Sequence, residues 1–208
     1  MNVEFFGYRG WTEQIKQNLM DYKTDKWRIS YDDPEVSLYY GWSDMIPKVI
    51  YQDHLCLILH PSPLPKYRGG SPLQHQIING ETMSAVTIAK VTDRLDAGDI
   101  YSQSPLSLEG SLDDIFKRMT DIGTRDTIKV LNAIASGTMQ PIPQDESEAT
   151  TYKRRTPSES EITLEDLQTK PAAELFNFIR ALQPPYPLPF ITCADGSKLY
   201  LTGSRWTK

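Results

Sequence analysis

A chain of 208 residues, 39% of them hydrophobic, is long enough to bury one substantial core. Its formal charge of -5 and pI near 5.2 argue against a nucleic-acid partner, because phosphate binding rests on an excess of Lys and Arg. Cys56 and Cys193 show neither CxxC nor metal-ligand spacing, no stretch is apolar for long enough to span a bilayer, and the first ten residues do not read as a leader, so a metal-free cytoplasmic protein is expected.

Residues 3–6 form a short β-rich run closed by Gly7, and Trp11, Ile15 and Leu19 recur at the spacing of one helical face. Residues 27–30 read as a weak strand and residues 36–40 as a stronger one, stopped by Gly41. Ser43 is placed to cap a short helix through Val49, with Pro47 in its first turn. Leu55, Cys56, Leu57, Ile58 and Leu59 are apolar on both pleat faces, the mark of a strand buried on both sides of a parallel sheet. Strands alternating with short helices predict parallel pairing and a Rossmann-like layered α/β fold.

Residues 72–78 read as a helix stopped by Asn79-Gly80, and residues 85–91 as a strand that runs into a polar loop, residues 92–98. Another short strand covers residues 100–104. Ser111 with Asp114 reads as a capping box for a long helix with Ile115, Met119, Ile122, Ile128, Leu131 and Ile134 on its apolar face and Gly137 at its end. Between Pro141 and Ser160 the composition turns to that of a solvated connection. Pro171 then opens an amphipathic helix bearing Leu175, Phe178, Ile179 and Leu182, and two short strands flank an Asp195-Gly196 turn. The predicted organisation is an α/β domain over residues 1–140, a linker over 141–160 and a small α+β appendage over 161–208.

In open α/β sheets ligands bind outside the carboxyl ends of strands, and His60 stands at such an end, held by Pro61, Pro63 and Pro65. The plain alternative is a histidine that only closes its strand. Asp96 lies in the loop after the 85–91 strand; if the two strands are neighbours, the carboxylate meets the imidazole and orients it for general acid–base chemistry. Its own alternative is a turn cap before Gly98. Gly69 and Gly70 allow close backbone approach to a ligand, and Arg68 suits an anionic group, with a simple turn and a solvated arginine as alternatives. Lys153-Arg154-Arg155 is the one basic cluster, either a solvated turn or a contact to a phosphate.

His60-Pro61-Ser62-x-Leu64-Pro65-x-Tyr67-Arg68-Gly69, Val86-Thr87-Ile88 and Leu95-Asp96-x-Gly98, in that order, closely resemble the signatures of formyltransferases that use 10-formyltetrahydrofolate. Tyr40-Gly41-Trp42-Ser43-Asp44-Met45-Ile46-Pro47 resembles the family's strand and loop against which the folate pterin lies. Tyr152-x-Arg154-Arg155-Thr156-Pro157, Ile179-Arg180-Ala181-Leu182 and Pro184-Pro185-Tyr186-Pro187 resemble the C-terminal part of nucleotide-sugar N-formyltransferases. The resemblance covers most of the chain. It implies a Rossmann-like formyltransferase domain, shortened near its N-terminus, that passes a formyl group from 10-formyltetrahydrofolate to the amino group of a nucleotide-linked amino sugar without a metal. By the same matching, His60 is the catalytic histidine and Asp96 the aspartate that orients it and relays protons. Trp42, Ser43 and Met45 line the pterin slot, Thr92, Asp93 and Leu95 close it from the other side, and Tyr67, Arg68 and Gly69 border the acceptor. The appendage would supply a homodimer contact of the kind sugar formyltransferases use.

Two departures accompany the resemblance. Where the family carries Asn two residues before the histidine, this chain has Ile58, which points to the same side as His60. Another group must then serve the oxyanion, or turnover is slow or absent. The stretch before His60 is also shorter than usual, so one wall of the folate site is expected to be more open. A methionyl-tRNA formyltransferase is the alternative enzyme, set back by the acidic balance and the short stretch after Pro141. A folate- or nucleotide-sugar-binding homologue with weakened catalysis is the third reading, resting on Ile58.

Overall fold

The computed structural model describes residues 1–7 and 9–207. Four strands run parallel: β1 (Asn2–Gly7), β2 (Arg28–Ile29), β3 (Val36–Tyr40) and β4 (Leu55–His60). Helix α1 (Gly10–Asp21) links the first two, and α2 (Lys48–Asp53) leads into β4. Ser43 does not cap α2. The residue before a proline avoids the helical region, so the helix starts only after Pro47, its N-cap, and residues 41–46 remain a loop.

After β4 come the two-residue β5 (Arg68–Gly69), α3 (Pro72–Ile78), β6 (Met83–Lys90) and β7 (Ile100–Ser107). The six-stranded sheet has the order β2-β1-β3-β4-β6-β7. The all-parallel expectation fails at β6, which pairs antiparallel with β4 in the register His60 opposite Thr87 and Leu57 opposite Lys90. Helix α3 leaves the chain at the end of the sheet where β4 finished, so the next strand re-enters from that end. The sheet is therefore mainly parallel, with an antiparallel edge formed by β6 and β7.

Side chains alternate between the sheet's two faces. Phe5, Leu38, Leu57 and Leu59 join the main core with Ile15 and Leu19 of α1 and Ile115 and Met119 of α4 (Leu112–Ala135). Ser111 accepts the Asp114 N–H and Asp114 accepts that of Ser111, the expected capping box. A Cβ on Gly123 of α4 would fall 2.8 Å from Ile15 Cδ1 and 2.9 Å from Leu59 Cδ1, so a larger residue there would have to push these two methyl ends aside. On the opposite face Phe6, Tyr39 and Ile58 stand side by side across β1, β3 and β4, with Phe6 stacked on Tyr39 at 4.8 Å.

The segment from 141 to 160 folds back along the sheet's end. Ile142 bridges Ile100, and β8 (Thr151–Tyr152) pairs in parallel with β5. Beyond it, α5 (Leu164–Thr169), which the sequence pattern did not announce, precedes α6 (Ala172–Ala181). Helix α6 packs on α3, and Ala181 and Leu182 enter the main core. The expected hairpin is present as β9 (Phe190–Thr192) and β10 (Lys198–Tyr200). Among the described residues no helix is long and apolar enough to cross a membrane.

Candidate active site

β4 ends at His60, a buried residue on the same face as Ile58. The His60 Nε2 lies 2.8 Å from the Tyr67 carbonyl oxygen. A carbonyl only accepts, so Nε2 carries the proton, and in the neutral ring Nδ1 keeps its lone pair. Nδ1 faces Asp96 Oδ2 at 3.6 Å. A proton taken up there would sit against a carboxylate.

Because β6 runs antiparallel, the loop bearing Asp96 starts far from His60: the Val91 N–H donates to Cys56 O at 2.8 Å, four residues down β4. The loop must climb back. Gly98 makes this path open, since a Cβ there would fall 2.0 Å from the Lys90 carbonyl oxygen. Asp96 adopts φ +51°, a left-handed conformation that Asp tolerates better than most side chains. Its Oδ2 accepts the Gly69 N–H at 2.8 Å. Gln144 secures the rest, donating from Nε2 to Asp96 O at 2.9 Å and to Gly98 O at 2.7 Å.

Arg68 is the support behind Gln144. Its guanidinium is buried and donates to Gln144 Oε1 at 2.7 and 3.1 Å and to the Glu146 carboxylate at 2.9 and 3.1 Å. Hydrogen bonds from Arg68, and then from Arg94, hold the Glu146 carboxyl down at about 2. The expectation that Arg68 borders an acceptor is thus corrected: its charge is consumed inside the protein. Tyr67 is likewise turned away, stacked on Tyr152 at 4.9 Å with its hydroxyl donating to Glu81, and only its carbonyl reaches His60.

Two cavities meet at His60. The larger, about 530 Å³, is walled by Trp42, Met45, Ile46, Ile58, Thr92 and Leu95. The smaller, about 280 Å³, is walled by Arg9, Trp11, Phe116, Arg155 and Tyr186. Trp42, Ser43, His60, Gly69, Gly70 and Arg154 border both. Of the residues expected around a pterin, Trp42, Ser43, Met45, Thr92 and Leu95 converge on the larger cavity. Asp93 does not: Thr92 Oγ1 donates to Arg94 O and accepts the Arg94 N–H, a tight turn that leaves Asp93 exposed and outside the lining.

Sequence reasoning left Arg9, Gln144 and Glu146 unnoticed, because folding, not a local pattern, brings them here. The basic cluster at 153–155 was a visible signal. Arg154 lies so close to Gly70 that a Cβ on that glycine would fall 2.4 Å from Arg154 Cα, and its Nη2 donates to Ser43 O at 3.1 Å. Arg155 lies over the Phe178 ring, burial lowers its pKa, and its Nε is buried without a hydrogen-bond partner among the described residues. No group of His, Cys, Asp and Glu among the described residues could hold a metal ion.

A family model described as formyl transferase matches residues 15–131. Curated relatives include the methionyl-tRNA formyltransferase of Macrococcus caseolyticus, 36% identical over 151 residues, which are 72% of this chain and 47% of that protein. The chain spans about half the length of the curated relatives it matches. Among solved structures, a methionyl-tRNA formyltransferase from Clostridium thermocellum superposes with a TM-score of 0.80 at 28% identity, covering 96% of both chains. Two more distant structures share the fold. HypX from Aquifex aeolicus in complex with tetrahydrofolic acid gives 0.81 at 18% identity over 97% of this chain and 37% of that one. A sugar N-formyltransferase from a Shewanella species gives 0.80 at 16% identity over 100% and 99%.

Proposed function

The chain belongs to the formyl transferase family, and from that premise we propose that it moves a formyl group from 10-formyltetrahydrofolate to the amino group of a nucleotide-linked amino sugar. One observation carries the reading: His60, with Asp96 beside it, borders two adjoining cavities. The larger joins an indole and aliphatic walls to a rim carrying Lys90, Arg94 and Lys153, which suits a flat heterocycle with an anionic tail. The folate bound by the Aquifex neighbour supports the same ligand class here. The smaller contains Arg9 and Arg155, the latter with a buried Nε that has no hydrogen-bond partner among the described residues, and such a cation favours an anionic acceptor, as a nucleotide diphosphate would be.

The chemistry follows from the placement. An acceptor amine entering from the arginine side attacks the formyl carbon, a C–N bond forms, and the carbonyl electron pair moves to oxygen. His60 Nδ1 takes the surplus amine proton, and Asp96 stabilises the imidazolium. The carbonyl then re-forms, the bond to the folate nitrogen breaks, and that nitrogen receives a proton. The products are a formamide and tetrahydrofolate.

A second reading, formylation of methionyl-tRNA, is favoured by the names of the curated relatives and opposed by the net charge of -5. The deciding experiment incubates the protein and 10-formyltetrahydrofolate with a panel of nucleotide-linked amino sugars or with charged initiator tRNA. A formyl mass on one sugar and tetrahydrofolate release are expected. Reaction with the tRNA alone would replace the acceptor proposed here.

A further inference from the structure

Formyl transfer passes through a tetrahedral carbon whose oxygen carries negative charge, and stabilising that charge is usually the largest single catalytic contribution. On the strand that delivers His60, the neighbour facing the same side is Ile58, which has no donor. Three donors beside it are already engaged. His60 Nε2 donates to Tyr67 O, the Gly69 N–H to Asp96, and the Gly70 N–H to Tyr152 O at 2.9 Å. His60 Nδ1 must remain open to take the amine proton.

The cations sort by position. Lys90, Arg94 and Lys153 border the larger cavity alone, and Arg9 and Arg155 the smaller alone. Among the described residues only Arg154 combines a positive charge with a place on both, at the line where donor and acceptor would meet. Its guanidinium has five N–H donors, of which one is used, by Ser43 O, and no carboxylate pairs with it among the described residues. The missing side chain of Gly70 lets the Arg154 backbone approach within a distance that any Cβ would forbid.

Resting on the formyl-transfer reading, we propose that Arg154 is a catalytic residue: its guanidinium binds the oxyanion formed when the amine attacks the formyl carbon, the role for which β4 offers only Ile58. As the C–N bond forms, the carbonyl π pair becomes the oxygen charge that Arg154 meets. As the carbonyl re-forms, that electron pair returns to the C=O bond, the C–N bond to the folate breaks with its pair on nitrogen, and that nitrogen takes up a proton. Arg154 exchanges no proton and is unchanged at the end.

The test compares wild type with Arg154→Ala and Arg154→Lys, all shown to be folded by circular dichroism. Each receives 10-formyltetrahydrofolate and either a nucleotide-linked amino sugar or hydroxylamine, a nucleophile with no phosphate for an arginine to recognise. Arg154→Ala should lower kcat about 100- to 1000-fold with both nucleophiles, and added methylguanidinium should restore part of it. Binding of 5-formyltetrahydrofolate, followed by tryptophan fluorescence, should change by less than about twofold. A raised KM for the nucleotide-linked acceptor with hydroxylamine turnover intact would make Arg154 a phosphate-recognition residue instead. Weakened 5-formyltetrahydrofolate binding would make it a folate contact, and an alanine variant as fast as wild type would remove it from catalysis while leaving formyl transfer standing. If wild type forms no formyl product with any nucleophile, the formyl-transfer reading falls and the role of Arg154 with it.

Discussion

A single carbonyl decides how His60 works. By accepting from Nε2, Tyr67 O leaves Nδ1 as the basic atom and points it at Asp96. Asp96→Asn keeps an acceptor for the Gly69 N–H and a residue type that tolerates φ +51°, so the fold should persist. What is lost is the charge beside Nδ1, and kcat should fall about 100- to 10,000-fold, as should that of His60→Ala. Steady-state kinetics with matched thermal melts would check this, and wild-type turnover in either variant would remove the pair from the mechanism. Ile58→Asn is the complementary change. If Arg154 serves the oxyanion, an amide at 58 should recover a measurable part of the activity lost in Arg154→Ala, and no recovery would mean that position 58 does not reach the reacting oxygen. His60 and Asp96 could be singled out in the sequence, because strand ends and turn motifs are local signals, whereas Ile58 stands out only against the family resemblance. The direction of Arg68 was not. Whether an arginine faces a ligand or an internal carboxylate depends on what the distant Glu146 does in the fold.

At the scale of elements, the loop after β6 holds its shape through contacts outside itself. Gln144 grips the Asp96 and Gly98 carbonyls, Arg68 grips Gln144, and Glu146 grips both Arg68 and Arg94. Apolar periodicity found nearly all the strands and helices, yet it carries no information on strand direction, and so β6 was expected to run parallel. The polar stretch 141–160 read as a solvated connection for a related reason: side chains that leave the chain for a distant partner look like solvated ones. The clamp has a pH dependence of known sign. The Glu146 carboxyl is held at about 2, below its usual 4.5, so the contribution is complete above the ordinary carboxylate range and is lost as pH falls from about 4.5 toward about 2. Hydrogen exchange in residues 91–99, measured between pH 5 and pH 2 and corrected for intrinsic rates, should show protection falling through that window. Glu146→Gln should be less protected at pH 5 and nearly flat below it. Parallel profiles for the two proteins would show that the clamp does not govern the loop.

For the whole molecule, the question is whether the last fifty residues fold as a unit of their own. Composition alone divides the chain near residue 141, but the packing places Ala181 and Leu182 in the same core as β3, β4 and α4. Arg180 donates to the carbonyls of Leu108 and Gly110, tying α6 to the entry of α4. Tyr186, which burial pushes to about 12, lies in the wall of the arginine-lined cavity beside Phe116 of α4. If a segment that helps wall the site and fills the core gains its order from the sheet it covers, the whole chain should unfold in two states. Leu182→Ala removes a side chain only 2% exposed and should cost about 2–5 kcal/mol. Urea denaturation read by tryptophan fluorescence and by far-ultraviolet dichroism should give coincident curves for wild type and variant, the latter shifted as a whole to lower midpoint. Fluorescence samples both regions, since Trp11, Trp27 and Trp42 lie before residue 141 and Trp206 beyond it. Separation of the curves, with an early transition for Trp206 alone in a protein whose other tryptophans are replaced by Phe, would show that residues 161–208 melt independently. The arginine-lined cavity would then be assembled by docking of a second unit and not built into one core.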